Sequence, residues 1–190
     1  MGPDLIERIH SELKQNMSSR RYRHTMGVVD AAVYLAKKYS VDIQAAYIAA
    51  LLHDYAKDFS EKQTQTYINR NGLIIDETMS NVYQLLHGKV AAHIAREQFN
   101  IKDRDILNAI EYHTTGRKKM SKLEKIIYLA DFIEPGRNYA GVEELRIVAK
   151  QDLDKAVLLA LDNTIKYVIF MGELLHTNTV EARNTLLLEK

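Results

Sequence analysis

The 190-residue chain has no cysteine. That absence removes disulfide scaffolds, thiolate catalysis and Cys-type zinc sites, and permits a reducing compartment. Charge of one sign is missing too: 26 basic against 25 acidic residues leave a net charge of +1. No global field favours nucleic acid or an anionic membrane, so any positive patch must be local. No apolar run approaches the length of a membrane span. Met1-Gly2-Pro3-Asp4 lacks the basic start and apolar run of a signal peptide. A soluble cytoplasmic protein is the expectation.

Glycine and proline are scarce, at 8 and 2. What is present recurs at spacings of three and four apolar residues, the mark of an all-α chain. The length suggests a single domain over residues 1–190, with ample room for a core. Leu5, Ile6, Ile9 and Leu13 predict a first short helix. Ser18 or Ser19 caps a second, and a third runs from about Asp42 to the pair His53-Asp54. Ser60 opens a fourth that stops at Asn71-Gly72. The stretch 80–99 reads as helix with a break near His87-Gly88, and Asp103 caps the next. Ser121 with Glu124 is a capping-box pattern for a helix through Ile133, ended by the turn at Pro135-Gly136. Two or three helices fill 142–189, including a long one from Asp152 to Leu175.

The chain is organised around Leu51-Leu52-His53-Asp54-Tyr55-Ala56-Lys57-Asp58. Imidazole and carboxylate together suit borderline divalent metals such as Mn, Fe or Zn. Adjacent helical residues diverge by about 100°, so the pair can share a metal only where a helix ends or bends. His24, His87 and His113 also fall on inward helical faces, and Asp131 sits inside the apolar run 126–133. A carboxylate in such surroundings needs a cation or hydrogen bonds. Any one of these residues alone is more simply a bonded core residue. Four inward histidines and two carboxylates together are satisfied at once by a metal centre built from helix faces.

The order His24, His53-Asp54, His87, His113, Asp131 resembles the HD-domain metal-dependent phosphohydrolase superfamily. The strings Arg21-Tyr22-Arg23-His24-Thr25, His53-Asp54-Tyr55-Ala56-Lys57, Leu85-Leu86-His87-Gly88-Lys89-Val90, Tyr112-His113-Thr114-Thr115-Gly116-Arg117 and Asp131-Phe132-Ile133-Glu134-Pro135-Gly136-Arg137 resemble one bacterial family within it. Its members are symmetrical bis(5′-nucleosyl)-tetraphosphatases, which cut diadenosine tetraphosphate to two ADP. The resemblance implies an HD-domain helical bundle with its metal site in the core, spanning about 18–137, and C-terminal helices over about 141–189. It implies that His24, His53, Asp54 and Asp131 hold one metal while His87 and His113 recruit a second, with Asp54 bridging. Iron is the implied cofactor, with Mn, Co or Zn as substitutes. The implied partner is a dinucleoside polyphosphate, with no nucleic acid and no membrane; a homodimer is compatible with the sequence.

Asp54 and Lys57 are the candidate catalytic residues. Lys57 lies three residues after Asp54, close enough to meet a phosphate or orient the nucleophile. Thr114, Thr115 and Arg117 leave a helix through Gly116 and offer hydroxyls and a guanidinium, a group suited to phosphate. Arg137, after a stiff turn, and Arg23, in a basic helix start, are further substrate candidates. His93 lies about 240° around the helix from His87 and reads as a surface residue. Two Glu-x-x-His strings, ending at His10 and His176, match the di-iron carboxylate pattern, but that pattern needs two further inward glutamates on long helices and the first helix is short, so both strings read as chance. The rival readings are another HD-type nucleotidase or phosphodiesterase, and a nucleotide-binding HD module without turnover.

Overall fold

Helix α3 (Ile43–Leu52) has no polar face: Ala46, Ile48, Ala49, Ala50, Leu51 and Leu52 are fully buried. A helix apolar all round belongs in a core. It is wrapped by α1 (Pro3–Asn16), α2 (Ser19–Lys38), α6 (Leu86–Glu97), α7 (Arg104–Glu111) and α8 (Lys122–Ile133). Its buried C-terminal end therefore delivers His53 and Asp54 to the middle of the protein. The helix stops at Leu52, and tight turns carry the chain through 53–58, with Lys57 N–H donating to the Asp54 carbonyl at 2.9 Å. The helix end needed for an adjacent His-Asp pair is there.

The computed structural model describes residues 3–189, which form α-helices and one 3-10 turn, with no strand among the described residues. The remaining helices are α4 (Glu61–Asn71), α5 (Glu77–Asn81), α9 (Val142–Ala149), α10 (Leu153–Phe170) and α11 (Thr177–Leu188). The all-α expectation holds. No helix of the described residues is long and apolar enough to cross a membrane. The predicted caps are in place: Ser18 accepts from Arg21 N–H, and Asp42 accepts from Gln44 and Ala45 N–H. Ser60 forms a capping box with Gln63, Asp103 accepts from Asp105 N–H, and Ser121 forms a capping box with Glu124.

Two boundaries differ from expectation. The stretch 80–99 breaks at 82–85 rather than at His87-Gly88: Val82 leaves the helical conformation, Tyr83–Leu85 is a 3-10 turn, and both later residues lie in the first turn of α6. The long helix α10 ends at Phe170, where the chain leaves through Gly172 at φ 68° instead of continuing to Leu175. The C-terminal helices close one side of the bundle, with α10 packed on α8, α9 and α11.

Gly88 has a mechanical role. A Cβ there would meet the Glu111 carbonyl oxygen at 2.6 Å, so only glycine lets α6 lie this close to α7. The contact draws together the two helices that carry His87 and lead into His113.

Candidate metal centre

Each inward histidine is held by its Nδ1 and aims its Nε2 at one point. His53, His87 and His113 donate from Nδ1 to the carbonyls of Ala50 (2.6 Å), Gln84 (2.5 Å) and Ile110 (2.8 Å), each three residues earlier. A carbonyl can only accept, so the proton is on Nδ1 and Nε2 keeps its lone pair. For His87 this bond requires the 3-10 turn that precedes α6. His24, on α2, uses a carboxylate instead: its Nδ1 is 3.1 Å from Glu134 Oε1. Burial holds His53 and His87 neutral, each with a pKa lowered to about 4. Burial also opposes charge on His24, but the bonds and charges of Asp131 and Glu134 outweigh it and raise its pKa.

Asp54 lies between two histidine pairs. Its Oδ2 is 3.6 Å from both His24 Nε2 and His53 Nε2. Its Oδ1 is 3.1 Å from His87 Nε2 and 3.6 Å from His113 Nε2. Burial disfavours its charge, yet the surrounding imidazoles hold its pKa well below the usual carboxylate range. Asp131, in the last turn of α8, brings Oδ1 to 3.0 Å from His24 Nε2. Its carboxyl is likewise held low: His24, His53 and Arg137 outweigh the effect of burial.

These donors fit a divalent cation. His53 Nε2 is buried without a hydrogen-bond partner, and His24 Nε2 faces the carboxylates of Asp131 and Asp54. Nε2 of His87 and Nε2 of His113 face each other at 3.0 Å, with each ring's Nδ1 proton already given to a carbonyl. Two lone pairs so close repel unless a cation lies between or beside them. Donor atoms of His24, His53 and Asp131, and of His53, Asp54 and His113, lie within 4.8 Å of one another. Buried imidazoles and carboxylates with their outer nitrogens hydrogen-bonded are what a transition-metal site requires.

Glu134 lies in the string 131–137 without a role assigned from sequence. It is buried, it bonds His24 Nδ1, and its Oε2 accepts from Gly136 N–H at 2.5 Å. A Cβ on Gly27 would meet that Oε2 at 2.5 Å, so the glycine makes room for the carboxylate. Glu134→Gln places an amide against the Gly136 N–H, and Gly27→Ala pushes the carboxylate out. Each change is expected to weaken metal binding about 10- to 100-fold, as losing an orienting partner does. Titrating metal into stripped variants measures it, and wild-type affinity in both would remove Glu134 from the site.

The substrate candidates are not gathered in one place. A cleft of about 890 Å³ runs past His24 and is lined by Arg20, Arg21, Arg23, Arg137 and Glu134. Arg23 is exposed at its edge, and Arg137 donates to Asp131 Oδ1 at 2.5 Å and to the Asp131 carbonyl at 2.8 Å. Lys57 is outside the cleft's lining, its Nζ 3.4 Å from His87 Nδ1, with burial lowering its pKa. Thr114, half-buried, follows His113 directly. Thr115 is 1% exposed and gives its hydroxyl to the Gly116 carbonyl. Arg117 is paired through Nε and NH2 with Glu124, the capping carboxylate of α8, and lies over the Tyr112 ring. Both shape the loop after α7 in this structure.

His93 lies outside the cluster, half-buried, with its Nδ1 bonded to the Tyr67 hydroxyl at 2.9 Å. His10 is bonded to Tyr22 and Tyr47, and His176 caps α11 while facing Asp76. Neither joins the histidine cluster, as the reading of those strings as chance expects.

The model of the HD domain matches residues 21–136, which span the cluster from Arg21 to Gly136. The chain belongs to the HD-domain family. Within it, the chain is 43% identical to a Halalkalibacterium halodurans protein named symmetrical bis(5′-nucleosyl)-tetraphosphatase, over 94% of this chain and 95% of that one. A Bacillus subtilis protein of the same name is 39% identical over 83% of this chain and 84% of its own length. A crystal structure from Clostridium acetobutylicum, described as a predicted HD superfamily hydrolase involved in NAD metabolism, is 46% identical. It superposes with a TM-score of 0.93 over 97% of this chain and 98% of that one. HD domains bind divalent metals, and the His/Asp cluster here suits one.

Proposed function

We propose that this HD-domain chain is a metal-dependent hydrolase that cuts diadenosine tetraphosphate symmetrically to two ADP in the cytoplasm. The observation that carries the reading is the convergence of four inward Nε2 atoms on Asp54 beside an arginine-lined cleft. Relatives of that name over most of the chain supply the substrate. In this reading His24, His53, Asp54 and Asp131 hold one ion and His87, His113 and Asp54 a second. Iron is the proposed metal, with Mn, Co or Zn able to substitute. Such ions supply activation of water at neutral pH and charge stabilisation on the phosphoryl oxygens.

The protein's own groups do the rest. Arg23 and Arg137 face the cleft with charge for the polyphosphate, and Arg137 also steadies Asp131. Lys57, whose Nζ lies near His87, meets a phosphate or orients the nucleophile in this reading. Thr114 adds a hydroxyl next to His113, while Arg117 and Thr115 act by holding the loop in place. The glutamate–His24 bond keeps the Nε2 lone pair aimed inward.

A tetraphosphate bridge can be cut at its centre or beside either nucleoside, and metals alone do not choose. The register comes from where the nucleoside diphosphate unit is held. Chromatography of an early time point with diadenosine tetraphosphate tests it: ADP alone is expected. Equal ATP and AMP would overturn symmetrical cleavage. The description of the Clostridium acetobutylicum protein favours including NAD in the same panel, and faster turnover of NAD would move the activity to that substrate.

A further inference from the structure

Arg21 is held between two carboxylates. Its NH1 donates to Asp54 Oδ2 at 2.6 Å, while its Nε lies 3.6 Å from Asp58 Oδ1. That Nε is buried and has no hydrogen-bond partner. Asp58 is itself fixed, because its Oδ2 accepts from Ser18 N–H at 2.9 Å at the start of α2. The side chain is therefore tight on one acid and within a small rotation of the other. Arg21 and Asp58 both line the cleft beside His24.

Oδ2 of Asp54 is the oxygen that faces His24 and His53. A cation bound there and the Arg21 guanidinium draw on the same lone pairs, so each weakens the hold of the other. A guanidinium loosened from Asp54 can close on Asp58, which pairs its buried Nε and leaves its terminal nitrogens in the cleft. There they join Arg20, Arg23 and Arg137, all suited to phosphate.

The geometry points to Arg21 as an exchanging residue that competes with metal for Asp54 and then binds the substrate phosphates, with Asp58 as the positioning residue that holds it in the cleft. The inference rests on the polyphosphate reading for its second half only. The first half, competition for Asp54, concerns metal binding alone.

The test uses Arg21→Gln, Asp58→Asn and the double variant. Asparagine at 58 can still accept from Ser18 N–H but no longer carries the charge that attracts Arg21. Mn²⁺ is titrated into metal-stripped protein, and KM and kcat are measured for diadenosine tetraphosphate after reloading. Removing the competitor is expected to tighten Mn²⁺ binding in Arg21→Gln about threefold or more, and losing a charge-assisted contact to raise KM about tenfold. Asp58→Asn is expected to raise KM in the wild-type background and to add nothing in Arg21→Gln. A merely structural Arg21 would weaken Mn²⁺ binding when removed, and that result overturns the competition. A full additional KM effect of Asp58→Asn in the Arg21→Gln background overturns the positioning role. If wild-type protein does not turn over diadenosine tetraphosphate, the functional reading fails, and the Mn²⁺ titration still decides the competition.

Discussion

Asp54→Ala is expected to lose metal from both histidine pairs and to lower turnover at least about a thousandfold, roughly 4 kcal/mol of transition-state stabilisation. The reason is geometric. One oxygen of this carboxylate faces His24 and His53 and the other faces His87 and His113, so it serves both pairs, whereas Asp131 stands beside His24 and His53. The fold should tolerate the change. Asp54 lies in a turn after α3, and burying its charge is unfavourable in itself. Metal analysis beside circular dichroism separates the two effects. A helical, metal-free, inactive variant is the expected result. Retention of both ions with full turnover would mean the site lies elsewhere.

Gly88→Ala is expected to be the most damaging substitution outside the ligands. The new methyl would meet the Glu111 carbonyl at 2.6 Å and the Ile110 carbonyl at 3.3 Å, both backbone atoms that can move only with their helix. Pushing α6 from α7 costs about 1–3 kcal/mol in packing. It also spreads His87 Nε2 and His113 Nε2 from their 3.0 Å separation. The ion at that pair should weaken far more than the one at His24, His53 and Asp131. A thermal melt with stepwise metal titration reads both. Unchanged melting temperature and two equal binding steps would show that the helices have slack.

Much of this was legible in the sequence, for reasons specific to each element. Ser60, and Ser121 with Glu124, are local cap signals, so they placed the starts of α4 and α8 correctly. The metal candidates were legible because histidine and aspartate are conspicuous in apolar runs. Long-range partners were not. Glu134 is 110 positions from His24, and Asp54 is 33 from Arg21, so no spacing announces either contact. Nor does spacing announce that the carboxylate capping α8 also takes the Arg117 guanidinium. The break before α6 was expected at His87-Gly88 instead, because 80–99 contains no proline and its one glycine, at 88, serves packing rather than turning.

The most direct measurement is turnover of diadenosine tetraphosphate by chelator-stripped protein as a divalent metal is returned, with bound ions counted at each step. The account predicts no turnover without metal, recovery in step with binding, and saturation at two ions per chain, with ADP as the product. Full turnover by the stripped protein would contradict it.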